Sequence, residues 1–209
     1  MKAVFLAMLM SFLPALGWTH PTSFQGGTAF LFSSSKSETS WQLHYSYRHW
    51  GAVGAERLNW RESTNTHLRE VEIARANFLL HRFHQPDSQA NVYLNLGAGQ
   101  ERHRGDREAI QLVEGQVDWE SREIYTMASF SHWYRERAVD LEAGKVRLGF
   151  APYLGDFKDL STWVIFEASH KTGAPKDLTT FFRFYFRNVL WEIGGTQAGD
   201  TKLNFMIHY

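Results

Sequence analysis

From Trp41 to the last residue, runs with an apolar side chain at every second position recur along the chain, and that period constrains the fold more than any other feature. Trp41, Leu43, Tyr45 and Tyr47 alternate with Gln42, His44, Ser46 and Arg48. Ala90, Val92, Leu94, Leu96 and Ala98 alternate with polar residues or glycine, as do Val113, Val117 and Trp119 and then Val146, Leu148 and Phe150. Phe182, Phe184 and Phe186 alternate with Arg183, Tyr185 and Arg187. A period of two sends successive side chains to opposite faces of an extended chain, so each run reads as a strand with one apolar and one polar face. No comparable 3.6-residue stripe follows the first apolar segment, and the chain reads as all-β.

The breaks between these runs set the strand count. Tight ones fall at His49-Trp50-Gly51, Pro86-Asp87-Ser88, Ser121-Arg122 and Arg187-Asn188, with a middling one at 154–161. Longer ones span Ser33 to Thr39, Arg61 to Arg69, Gln100 to Arg107, Arg135 to Gly144, Lys171 to Asp177 and Gly194 to Asp200. Eleven connections in alternating long and short order imply about twelve strands. An even strand number with short turns at one end and long loops at the other is the pattern of a closed, antiparallel, up-and-down transmembrane β-barrel. A soluble β-sandwich or lipocalin-like barrel also alternates, but its outer face would be polar. Here Trp41, Trp60, Trp119 and Trp191 stand near strand ends on the expected apolar face, where aromatic girdles meet the membrane surface. Glu56-Arg57 is the awkward pair, because adjacent charges place one of them on that face.

The start of the chain agrees with export. Met1-Lys2 is followed by an apolar run to Leu16, and Ala15-Leu16-Gly17 offers small residues for cleavage. Residues 1–17 therefore read as a signal peptide, with cleavage as late as residue 19, and 18–209 as the barrel. Composition removes several functions. With no Cys, there is no disulfide scaffold, thiolate metal site or lipoprotein anchor. Lys+Arg and Asp+Glu are both 22, so the basic footprint of a nucleic-acid-binding protein is missing. No motif calls for a cofactor.

The last strand sharpens the class. Leu203, Phe205 and Ile207 stand at two-residue intervals before a terminal Tyr209. In this the sequence resembles bacterial outer-membrane β-barrel proteins, whose final strand ends on an aromatic residue with the same alternation. The resemblance implies a place in the bacterial outer membrane, contact with its lipid and lipopolysaccharide, and the barrel-assembly machinery as a partner during biogenesis. It implies no oligomeric state.

On this assignment of faces the lumen holds Arg75, Lys145, Arg147, Arg183 and Arg187 with Glu114, Asp118, Glu120, Glu167 and Glu192. These charges either fill the interior as ion pairs or line a pore that orients a small polar solute. His44, Met206 and His208 share the polar face near the seam where first and last strands meet, a weak candidate set for copper. The segment Ser129-Phe130-Ser131-His132 is the nearest approach to a lipid-acting nucleophile and base, but a strand sends Ser131 and His132 to opposite faces. The basic segments Gln100 to Arg107 and Arg135 to Arg137 could touch lipopolysaccharide phosphates from an outward loop. The expectation is a small pore or transport-type barrel for small polar solutes or ions. A lipid-acting hydrolase or acyltransferase and a structural or adhesion barrel are the alternatives.

Overall fold

The computed structural model describes residues 21–61, 68–154 and 159–209. The expected signal peptide lies outside the described residues. Twelve strands follow one another: β1 (Thr28–Ser34), β2 (Glu38–Arg48), β3 (Gly51–Arg61), β4 (Leu68–His84), β5 (Ser88–His103), β6 (Asp106–Ser121), β7 (Ile124–Arg135), β8 (Leu141–Phe150), β9 (Ser161–Lys171), β10 (Asp177–Phe186), β11 (Val189–Thr196) and β12 (Thr201–His208). Each pairs antiparallel with its neighbours in sequence, and β1 closes on β12 from Ala29↔His208 to Ser34↔Leu203. Closure leaves no unpaired edge, which is the condition for a sheet to cross hydrocarbon. Among the described residues no helix is long and apolar enough to do so.

The amphipathy is inverted relative to a soluble barrel. Leu43, Val53, Val117, Phe130, Val146, Leu148, Phe166, Phe182, Ile193 and Leu203 all point outward and are exposed. Asn77, Asn95, Glu101, Arg147, Arg183 and Glu192 are buried inside. Water would penalise such a surface, whereas a bilayer rewards it and leaves the polar side chains to pair with one another. Trp119 and Trp191 lie near the turn end where β1 begins and β12 ends, the periplasmic end of such a barrel.

Three expectations need correction. The connection lengths do not alternate as the sequence suggested. Gln100 to Arg107 is no loop: β5 and β6 run on to a two-residue turn at Arg104 and Gly105, both with positive φ (53° and 92°). That turn matches the twist of the flanking strands and lets charged residues stay in ladder pairing. Conversely, the connection expected to be middling, 154–161, joins β8 to β9 across residues 151–160. Finally, Trp60 does not join the outer girdle. It points inward and is buried, because Glu56 turns inward and strand parity carries Leu58 and Trp60 with it.

The Glu56-Arg57 conflict is resolved by the length of the neighbouring strands. Arg57 faces outward but approaches Glu70 at 3.8 Å and Glu72 at 3.7 Å on β4, while Arg102 on β5 lies 3.5 Å from Glu70. This outward charged patch occupies the extracellular ends of β3 to β5, where the sheet extends past the apolar belt.

Candidate functional site: a charged chamber inside the barrel

The lumen is built in levels. At the extracellular mouth, the fully buried Glu101 accepts hydrogen bonds from Arg69 Nη1 at 2.9 Å and from Arg135 Nε at 2.8 Å and Nη2 at 3.1 Å. Both guanidinium groups lie 6.0 Å from the Trp60 ring, and Lys171 Nζ sits 3.8 Å from its centroid. Lys171 Nζ also donates to Glu38 Oε2 at 2.8 Å. Strands β9 and β2 lie nearly opposite each other in the barrel order, so this ion pair bridges the mouth. Trp60 packs with Leu58, Val71, Ile73, Ile110, Leu112, Trp133 and Leu141 in an apolar cluster inside the same end of the barrel.

Below that bridge two charged walls face each other. On one, Arg75 Nη1 donates to Glu56, and its Nη2 approaches Glu114 at 3.8 Å. Ser40 and Gln42 also donate to Glu56, at 3.1 and 2.9 Å. On the other, Arg147 donates to Glu167 at 2.7 Å and to Glu192 at 3.2 Å. Glu192 further accepts from Arg183 Nε and from Asn204 Nδ2, both at 2.6 Å. Lys202 closes the set on Glu167 at 3.3 Å and Asp177 at 2.7 Å. The Arg147 and Arg183 guanidinium groups lie over Phe181 and Tyr125, 5.0 and 4.8 Å from the ring centroids. Between the walls is a chamber of about 220 Å³, lined by Arg75, Glu114, Lys145, Arg147 and Glu192 among others. Lys145 is half-buried there and makes no hydrogen bond or ion pair with another described residue.

The residues anticipated from the sequence are thus distributed unevenly. Arg147, Glu167, Arg183 and Glu192 meet in one network, and Arg75 and Glu114 in another. Asp118 points inward, bonded to Asn91 at 2.7 Å and Gln116 at 3.3 Å. Arg187 is the exception and must be removed from the lumen: β10 ends at Phe186, and Arg187 sits exposed in the next turn with φ 56°, its guanidinium 5.1 Å from the Phe186 ring. Parity counts inward residues only while the strand lasts. Sequence reasoning also missed Glu38, Arg69, Glu101, Arg135, Lys171 and Lys202 as lumen groups. Most stood at strand ends assigned to loops. For Glu101 and Arg69, extending the alternation two residues past the apolar run would have found them.

Of the histidines, His44 and His208 flank Ala29 in one paired row across the seam. His44 is held by Gln42 at 3.1 Å and Asn77 at 2.7 Å, and His208 Nε2 lies 3.2 Å from Met206 Sδ. Among the described residues no group of three or more His, Asp or Glu side chains converges as a metal site requires. Ser129 and Ser131 project inward, whereas His132 faces outward between Asp140 at 3.3 Å and Glu142 at 3.4 Å. The Arg135 amide, 3.0 Å away, holds the Asp140 carboxyl below its usual range. The serines and the histidine lie on opposite sides of the sheet, so they cannot form a dyad.

An even-stranded, closed antiparallel barrel with an apolar exterior and an ionic interior is a transmembrane barrel of the bacterial outer-membrane class. No family model matches the chain, and no curated protein does. Among solved structures it is similar to KdgM porin, 10% identical, over 88% of this chain and 98% of that one, with TM-score 0.46. KdgM porin in complex with disordered oligogalacturonate gives the same identity and coverage with TM-score 0.47. OccK11 (OpdR) of Pseudomonas aeruginosa is 8% identical over 89% of this chain and 67% of that one, with TM-score 0.42. The class assignment rests on this chain's own closure and faces.

Proposed function

We propose that the protein is a narrow outer-membrane channel for small polar solutes, with anions favoured over cations. The observation that carries this reading is the 220 Å³ chamber between two paired ionic walls, into which Lys145 brings a charge that makes no hydrogen bond or ion pair with another described residue and meets Glu38 and Glu167 only at longer range. Arg75 and Arg147 are held by carboxylates on their own walls, so they shape the passage and set its field without being free to leave it. Lys145 is left to attract a passing anion. A lipid-acting enzyme finds no support in a serine and a histidine that face opposite sides.

Full-length protein reconstituted in planar bilayers should show small, discrete conductance steps. Lys145→Glu should shift the permeability ratio toward cations by roughly fivefold or more, since it reverses the only unpaired charge among the described chamber residues. A silent bilayer at all voltages, from protein that still shifts in mobility on boiling, would instead favour a structural barrel acting through its loops.

The terminal strand belongs to the same proposal. Leu203, Phe205 and Ile207 face outward on β12, and Tyr209 is exposed, its amide and carbonyl paired with Thr28. We read them as the signal taken up by the assembly machinery. Tyr209→Ala should lower the yield of heat-modifiable barrel in outer-membrane fractions several-fold, while leaving the stability of barrel refolded in detergent within about 1 kcal/mol. Equal losses in cells and in detergent would mean that Tyr209 is merely structural.

A further inference from the structure

The outward face is not uniformly bulky. Across β5 to β10 it carries an apolar groove of about 570 Å³. Two adjacent rows of paired residues form it. In one, Gly115, Phe130, Gly144 and His170 lie side by side on β6 to β9. In the next, Ala128 and Ala168 flank Val146. A Cβ added at Gly115 or Gly144 would meet nothing within 4 Å, so the missing side chains leave open depth.

The groove climbs across the sheet. Val92 and Val117, at one end, lie near the periplasmic ends of β5 and β6, whereas His170 and Leu178, at the other, are each next to the extracellular end of their strand. Five strand spacings give a length of roughly 24 Å. At a strand tilt of about 45°, such a row rises by roughly 17 Å, close to the ~15 Å thickness of one hydrocarbon leaflet. At the upper end stand His170 and Lys176, both exposed and neither bonded to another described residue. Of the nearby acids, Asp177 is held by Lys202 at 2.7 Å and Glu142 lies against His132 at 3.4 Å, and neither makes an ion pair with Lys176 or His170. An apolar trough one leaflet deep, with a free cation at its extracellular end, is complementary to an amphiphile with an acyl chain below and a phosphate above.

We propose that this groove is a lipopolysaccharide site, seating one acyl chain along Gly115 and Gly144 and a phosphate at Lys176 and His170. It is independent of the channel: the groove lies on the opposite side of the sheet from the chamber, so conductance and lipid retention can fail separately.

The test is lipid retention by full-length barrel purified in mild detergent, stripped, and reloaded with lipopolysaccharide or, in a separate arm, with phosphatidylglycerol. Native mass spectrometry counts the bound lipid. The parent should keep one lipopolysaccharide. G115L/G144L should weaken that retention by about tenfold, equivalent to losing roughly two buried methylene contacts. K176E should weaken it several-fold, and G195L, an outward glycine on β11 with equally open space, should change nothing. A shift in mobility on boiling certifies each variant as folded; if the double variant fails it, K176E carries the test. Undiminished retention in the folded groove variants would overturn the proposal, and so would phosphatidylglycerol loading as well as lipopolysaccharide.

Discussion

Trp60→Ala should raise the single-channel conductance of the reconstituted barrel roughly threefold or more, because it removes the ring against which the mouth's three cations rest. Trp60 is buried at the extracellular end of the lumen, beneath Lys171 and beside Arg69 and Arg135. Removing the indole takes away the surface on which three cations rest and leaves the Lys171–Glu38 bridge without a floor. Cation–aromatic contacts contribute about 1–2 kcal/mol each when desolvated, so the bridge should then open and close more often as well. Single-channel recordings read both effects: a larger unit step and more frequent flicker. An unchanged step would place the narrowest point elsewhere, at the chamber walls. Because the ring also packs with Leu58 and Ile110, some loss of stability is expected alongside, in the range of about 3–5 kcal/mol for a buried large-to-small aromatic change.

The largest loss of stability should come from Glu192→Ala. Glu192 is 1% exposed and accepts from Arg147, Arg183 and Asn204; without it Arg183 loses its carboxylate partner, and Glu167 must hold both Arg147 and Lys202. Deleting one acid from a buried network leaves uncompensated positive charge at low dielectric, a cost of about 3–5 kcal/mol. Urea unfolding in phospholipid vesicles, followed by Trp fluorescence, measures it. The companion variant E192L/R183M removes one charge of each sign and should recover much of that loss. If Glu192→Ala unfolds at the same urea concentration as the parent, water from the chamber screens the guanidinium groups, and Glu192 does not hold this wall together.

These two residues also show where sequence reasoning reaches and where it ends. Glu192 was legible. It alternates with Trp191 and Ile193 in an unbroken strand, and period two carries a residue to a definite face wherever the strand continues. The same logic placed Arg75, Arg147, Glu167 and Arg183 inside. Arg187 shows the boundary, since its parity pointed inward but the strand had already turned. Trp60 failed for another reason: aromatic residues near strand ends suit a lipid interface and a packed lumen equally well. Only the inward turn of Glu56, on a strand whose neighbours present Glu70 and Glu72 to Arg57, decides which one applies.

Alternation and an even number of strands were enough to point to a closed barrel with its apolar face outward, because the faces of each strand and the breaks between strands are local properties of the chain. The pairing of particular charges is not local. Lys171 reaches Glu38 across 133 positions of sequence, and Arg135 reaches Glu101 across 34. Such partners meet only when closure sets the register and curvature of the whole sheet. The same closure decides that the mouth is bridged, that Lys145 is left unpaired, and that two outward glycines on separate strands line up to form a groove.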